Sequence, residues 1–175
     1  MVQDFLTGPH GPPDSDRSLA TVLFIGIVGW TQKAGQLGDR RWGYLLDEHH
    51  ARIRRQLDGF RGVEVDTAGD GFFTTFDGPA RALRCACAIW DMVRDIGIEI
   101  RAGLHTGEVE RRGTVVTAWR SMSARVAALA QASEVLATRT VQMLVLGSGI
   151  SFTDRGLHQL KGVPGQRQLF AVEDT

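Results

Sequence analysis

The hydrophobic and polar positions of this chain fall into two kinds of pattern, and the change from one to the other marks out its elements. Leu19 to Val28 is an almost unbroken apolar run, as in a strand covered on both faces and central in its sheet. Gly29 ends it. From Thr31 to Phe60, Leu37, Trp42, Leu45, Leu46, His49, Ile53 and Leu57 recur at mostly three- and four-residue steps, which predicts one long helix with Gly35 and Gly38 as points of interruption near its start. Val63 and Val65 then alternate with acidic residues, and Ala68-Gly69-Asp70-Gly71 links them to a strand from Phe72 to Phe76 as a β-hairpin. Asp77-Gly78-Pro79 opens a second helix that runs through Ala82, Leu83, Ala86, Ile89, Trp90 and Val93 to a stop at Gly97. Ile98 to His105 alternates like a strand.

The order strand, helix, strand, strand, helix, strand predicts an α/β (α+β) domain with a ferredoxin-like βαββαβ core. C-terminal additions follow. They are a hairpin arm from Glu108 to Thr117, a helix from about Ala118 to Ala130, a strand from Glu134 to Ala137, a small helix from Val141 to Leu146, and two strands near Ile150 to Asp154 and Gln168 to Val172. Residues 1–18 carry three of the five prolines and no apolar core behind a basic start, so they read as a flexible leader rather than a secretory signal, ahead of one domain over 19–173.

Composition narrows the classes. With 175 residues, 43% of them hydrophobic, the chain supports one core. Twenty basic residues balance twenty acidic ones, which removes bulk charge as a reason to expect nucleic acid or an anionic membrane surface as a partner. No apolar run approaches the length of a membrane span. Cys85 and Cys87 sit two apart in an apolar helical run and read as small core or near-core residues of a reduced, cytoplasmic protein.

Asp70 stands on a tight glycine turn, where a carboxylate is most simply a turn residue. Gly69-Asp70-Gly71 lacks the Lys-Ser/Thr ending of a phosphate-cradling loop. His49 and His50 share a helix with Arg52, Arg54 and Arg55 and read as solvated or core-edge residues, and His105 ends a strand with no second metal ligand at a suitable spacing.

Four blocks together resemble the class III nucleotidyl (adenylyl/guanylyl) cyclase catalytic domain. They are Thr21-Val22-Leu23-Phe24 with Ile27-Val28-Gly29; Asp66-Thr67-Ala68-Gly69-Asp70-Gly71-Phe72; Arg101-Ala102-Gly103-Leu104-His105-Thr106-Gly107-Glu108; and Ser123-Ala124-Arg125-Val126-Ala127. Leu160-Lys161-Gly162-Val163 adds to the match, which spans about residues 19–173. The resemblance implies a head-to-tail homodimer with active sites across its interface. One subunit of such a dimer supplies two aspartates for two Mg²⁺ or Mn²⁺ ions, which activate the ribose 3′-hydroxyl of ATP or GTP toward the α-phosphate. The partner supplies a base-selecting lysine and its polar companion, an asparagine for the ribose and an arginine for the transition state. Positioning and charge stabilisation carry such a reaction, so each missing group is costly.

Carried over position by position, the pattern is incomplete. The first metal aspartate is replaced by Gly26, and the second is retained as Asp70. Asp66 stands where the base-selecting lysine belongs, which reverses the charge, and its polar companion falls near Thr114. Ser121 replaces the asparagine with a shorter side chain, and Arg125 is retained. Trp30 brings a bulky indole to the phosphate-facing turn. Neither half-site is whole, so pairing with a complete cyclase would not restore one.

The sequence therefore predicts a degenerate cyclase homology domain with impaired or absent catalysis, acting as a dimerising regulatory or nucleotide-sensing module. It leaves at most a weakened Mg²⁺ or Mn²⁺ site. Two rivals stand beside it. One is a weakly active, Mn²⁺-dependent adenylyl cyclase that uses Asp70 with Asp66 or Glu64. The other is a scaffold that recognises a regulatory partner protein and binds no nucleotide.

Overall fold

A computed structural model of the chain describes residues 17–68, 71–110 and 117–173, with backbone alone at a few positions beside these limits. The leader before Arg17, Asp70 and Thr114 lie outside the described residues. Seven strands and five helices follow in the order β1 (Arg17–Ile27), α1 (Trp30–Leu37), α2 (Asp39–Phe60), β2 (Val63–Ala68), β3 (Gly71–Phe76), α3 (Pro79–Arg94), β4 (Ile100–Glu110), α4 (Thr117–Ala128), β5 (Glu134–Thr138), α5 (Arg139–Leu144), β6 (Phe152–Gln159) and β7 (Gln166–Val172). They build one sheet in the order β2-β3-β1-β4-β5-β7-β6. Its first four strands have the βαββαβ arrangement that the sequence predicts, and the C-terminal strands extend the sheet beyond β4.

β1 is central, as its apolar run requires, and pairs antiparallel with β3 on one side and β4 on the other. Alternate residues of β1 then serve two faces. Leu23, Ile25 and Ile27 join Phe72, Leu104, Ile53, Leu57, Leu83 and Ile89 in the main core beneath α2 and α3. Ala20 and Val22 face the opposite way, with Phe73 and Val109. On that second side α4 closes over Leu136, Leu160 and Leu169 through Met122, Val126 and Ala130.

Three expectations change. The single helix expected over 31–60 is two helices, because Gly38 takes φ 79° and ψ 158°, outside the helical region, and serves as the C-cap of α1 and the N-cap of α2. The arm expected from Glu108 is, as far as it is described, a continuation of β4 to Glu110, held by eleven register pairs with β1 from Arg17↔Glu110 to Ile27↔Ile100. The strand expected near Ile150 to Asp154 runs instead over Phe152–Gln159, where an exposed, polar sequence hides the two-residue period. Its hydrogen bonds to β7 supply what apolar alternation does not.

No helix among the described residues is long and apolar enough to cross a membrane. Cys85 is buried and Cys87 half-buried, and burial pushes the Cys85 thiol up to about 12, so it stays protonated.

Candidate functional site

Gly26 lies buried near the C-terminal end of β1, and its register partner on β4 is Arg101. Directly opposed residues of an antiparallel pair share a face, so the arginine side chain issues beside the position that lacks one. Both residues line a cavity of about 530 Å³, walled by Trp30 and Gln32 at the start of α1 and by Ala124 and Ala127 of α4. Gly29 makes this geometry possible, since its left-handed φ of 63° turns the chain from β1 into α1. No side chain caps the start of α1. The first turn of a helix carries partial positive charge, and Arg101 adds a full one, while none of the described lining residues is acidic. Trp30 is 42% exposed and forms part of the wall, where the sequence places its indole.

α4 can lie against this site only because β4 has Gly103. A Cβ there would sit 2.3 Å from the Ser123 carbonyl oxygen and 2.4 Å from the Ala127 amide nitrogen. The helix so placed exposes Ser121 and holds Arg125 half-buried one turn later. The Arg125 guanidinium reaches the turn between β6 and β7, where a Cβ on Gly162 (φ +77°) would lie 2.6 Å from Nη1. Lys161, exposed on that turn, directly precedes Gly162 in the chain. Sequence reasoning gave Lys161 no role of its own. Its signal was present in the Leu160-Lys161-Gly162-Val163 block.

Asp66 is half-buried on β2, the edge strand, and a register shift between Glu64 and Asp66 sets it opposite Phe73. Gly26 belongs to β1, and Ser121 and Arg125 belong to α4, which packs against β1 and β4. Glu64, named with Asp66 as an alternative ligand, is already engaged. Arg54 donates from Nε and Nη2 to its two carboxylate oxygens at 2.9 and 3.0 Å, and the Thr67 hydroxyl donates at 2.7 Å. Arg54 beside it holds the Glu64 carboxyl down at about 2.

His49 is not solvated but wholly buried in α2, and neither ring nitrogen has a hydrogen-bond partner. Burial, followed by the neighbouring His50, lowers it to about 4. His105 is buried too, with Nδ1 2.9 Å from the Thr138 hydroxyl, and burial followed by the charge of Arg167 lowers it to about 4. Among the described residues no group of three or more His, Cys, Asp or Glu is placed to hold a metal ion.

Comparison with known proteins fits this architecture. Residues 15–174 match the family described as adenylate and guanylate cyclase catalytic domain. The fold is similar to that of the adenylyl cyclase CyaB from P. aeruginosa, with a TM-score of 0.83 at 21% identity over 91% of this chain and 95% of that one. It is also similar to an adenylate/guanylate cyclase/hydrolase from Silicibacter pomeroyi, with a TM-score of 0.78 at 20% identity over 91% and 99% of the two chains. A third likeness is to the dimeric guanylyl cyclase domain of the RhoGC fusion protein from the aquatic fungus Blastocladiella emersonii, with a TM-score of 0.76 at 17% identity over 89% and 97%. No curated protein matches by sequence. With the family pattern covering nearly the whole chain and the fold similar to that of solved cyclases, this protein belongs to the class III adenylate and guanylate cyclase catalytic domain family.

Proposed function

We propose that this domain is a catalytically impaired cyclase that serves as a dimerising, nucleotide-sensing or regulatory module in cyclic-nucleotide signalling. The observation that carries this reading is the pairing of Gly26 with Arg101 in the wall of one cavity. A two-ion centre for phosphoryl transfer needs carboxylates that bridge or flank both cations. Gly26 offers no oxygen from a side chain, and a guanidinium opposite it raises the cost of bringing divalent cations there. A full two-metal centre is therefore not formed, and no step of a cyclisation is assigned to these residues.

Nucleotide contact is the part of the ancestral role that the remaining groups still support. Arg125 lies against Gly162 on the β6–β7 turn, where its planar donor fork suits a phosphate and acts without a metal, and Lys161 is the exposed cation that precedes Gly162 on the same turn. Purine selection is altered, because Asp66 accepts hydrogen bonds where a lysine only donates. The partner in the dimer is a second copy of the chain or a regulatory protein, and the head-to-tail arrangement is the one the family resemblance implies. A cyclase assay with ATP and GTP, each with Mg²⁺ and Mn²⁺, tests this reading. We expect little or no cyclic product together with calorimetric binding of at least one nucleotide; turnover at the rate of ordinary cyclases would overturn it.

The retention of Asp70 and Arg125 favours one second reading, a weak Mn²⁺-dependent adenylyl cyclase. This reading pairs Asp70 with Asp66 or Glu64, of which Glu64 is tied to Arg54 and Thr67. In that case Asp70→Ala abolishes whatever product is measured with Mn²⁺, and an unchanged trace of product in the variant excludes it.

A further inference from the structure

A second cavity, of about 490 Å³, opens beside α5 and β7 and shares no lining residue with the Gly26 cavity. Its volume lies within the range that holds small organic ligands. The polar wall comes from four elements, with His105 of β4, Thr138 at the end of β5, Arg139 at the start of α5 and Arg167 of β7. The apolar lip is formed by Met143 and Leu157, which are 55% and 61% exposed. None of the described lining residues is acidic.

The charges in this wall are unbalanced. Arg139 Nη1 donates to the neutral Gln168 Oε1 at 3.3 Å, and among the described residues no carboxylate forms an ion pair with Arg139 or Arg167. His105, only 9% exposed and anchored to Thr138, adds no counter-charge. Arg139 and Arg167 are both exposed at this concavity, and their planar donor forks match a carboxylate. Met143 and Leu157 meanwhile offer apolar area that a bare inorganic anion would leave wet.

We propose that this cavity binds a small organic carboxylate bearing an apolar chain, with the carboxylate held by Arg139 and Arg167 and the chain lying on Met143 and Leu157. Neither the activity nor the nucleotide of the cyclase reading enters this assignment. Titration calorimetry with octanoate, kept below micelle-forming concentration, tests it, with acetate as the charge without the chain and 1-octanol as the chain without the charge. Octanoate should bind saturably at one site per chain, acetate and octanol should give no saturable heat, and Arg139→Gln and Arg167→Gln should each weaken octanoate at least tenfold while melting as the parent does. Three results overturn the proposal: no saturable octanoate binding at millimolar concentration, equal binding of octanol, or undiminished binding by both variants.

Discussion

Gly26 and Arg101 are directly opposed on β1 and β4, so the position that the family resemblance matches to the first metal aspartate has a guanidinium beside it. Restoring Gly26→Asp, Asp66→Lys and Ser121→Asn together should therefore give only partial cyclase activity. A new carboxylate at 26 pairs with Arg101 across the strands before it can serve a cation. Adding Arg101→Gln to the triple variant should raise the yield of cyclic product with Mn²⁺. Full activity in the triple variant, or no gain from the fourth change, would show that Arg101 does not set the limit.

Gly103 lets α4 lie on β4, and the atoms that a Cβ would meet belong to the helix backbone, which cannot swing aside as a flexible side chain does. Gly103→Ala should cost about 2–3 kcal/mol by overpacking. Urea unfolding measures this directly. The same variant should lose nucleotide affinity, because α4 carries Ser121 and Arg125.

Acid should destabilise the fold through two buried histidines. His49 and His105 are each lowered from 6.5 to about 4, so above pH 6.5 both are neutral in folded and unfolded chains alike. As pH falls from 6.5 to 4 the unfolded chain takes up protons that the folded one refuses, and stability drops by at most about 3 kcal/mol per histidine, levelling off below pH 4. His49 has no hydrogen bond to lose, so His49→Leu should be neutral or stabilising at pH 7 and should flatten the profile. Denaturant unfolding across pH 4–8 would expose the error if the variant kept the parent's slope.

The Arg54–Glu64 pair should contribute little despite its paired contacts, since Arg54 is half exposed and shielded by solvent. Glu64→Gln is expected to cost under about 1 kcal/mol at pH 7. The Glu64 carboxyl is held down from 4.5 to about 2, so this contribution is present above pH 4.5 and disappears as pH falls toward 2. A loss of several kcal/mol at neutral pH, read from chemical unfolding, would mean that Glu64 organises more of β2 than its contacts with Arg54 and Thr67.

Elements with an unbroken or regularly spaced apolar pattern are legible in the order of residues. β1 shows in its unbroken apolar run because it is covered on both faces. α3 shows in the three- and four-residue steps from Ala82 to Val93, and the β2–β3 hairpin in its glycine turn. The residues at 26, 66 and 121 are likewise read directly from the sequence, and it is the family resemblance that assigns site positions to them. Residues far apart in the chain meet only through the tertiary structure. Arg101 is 75 positions from Gly26 (101 minus 26), and Arg167 is 62 from His105 (167 minus 105). No local period carries such distances, because they are set by strand register and by how closely α4 can approach Gly103. The length of β6 was hidden for a related reason: its side chains are exposed and polar, and its place is fixed by backbone hydrogen bonds, which leave no mark on residue type.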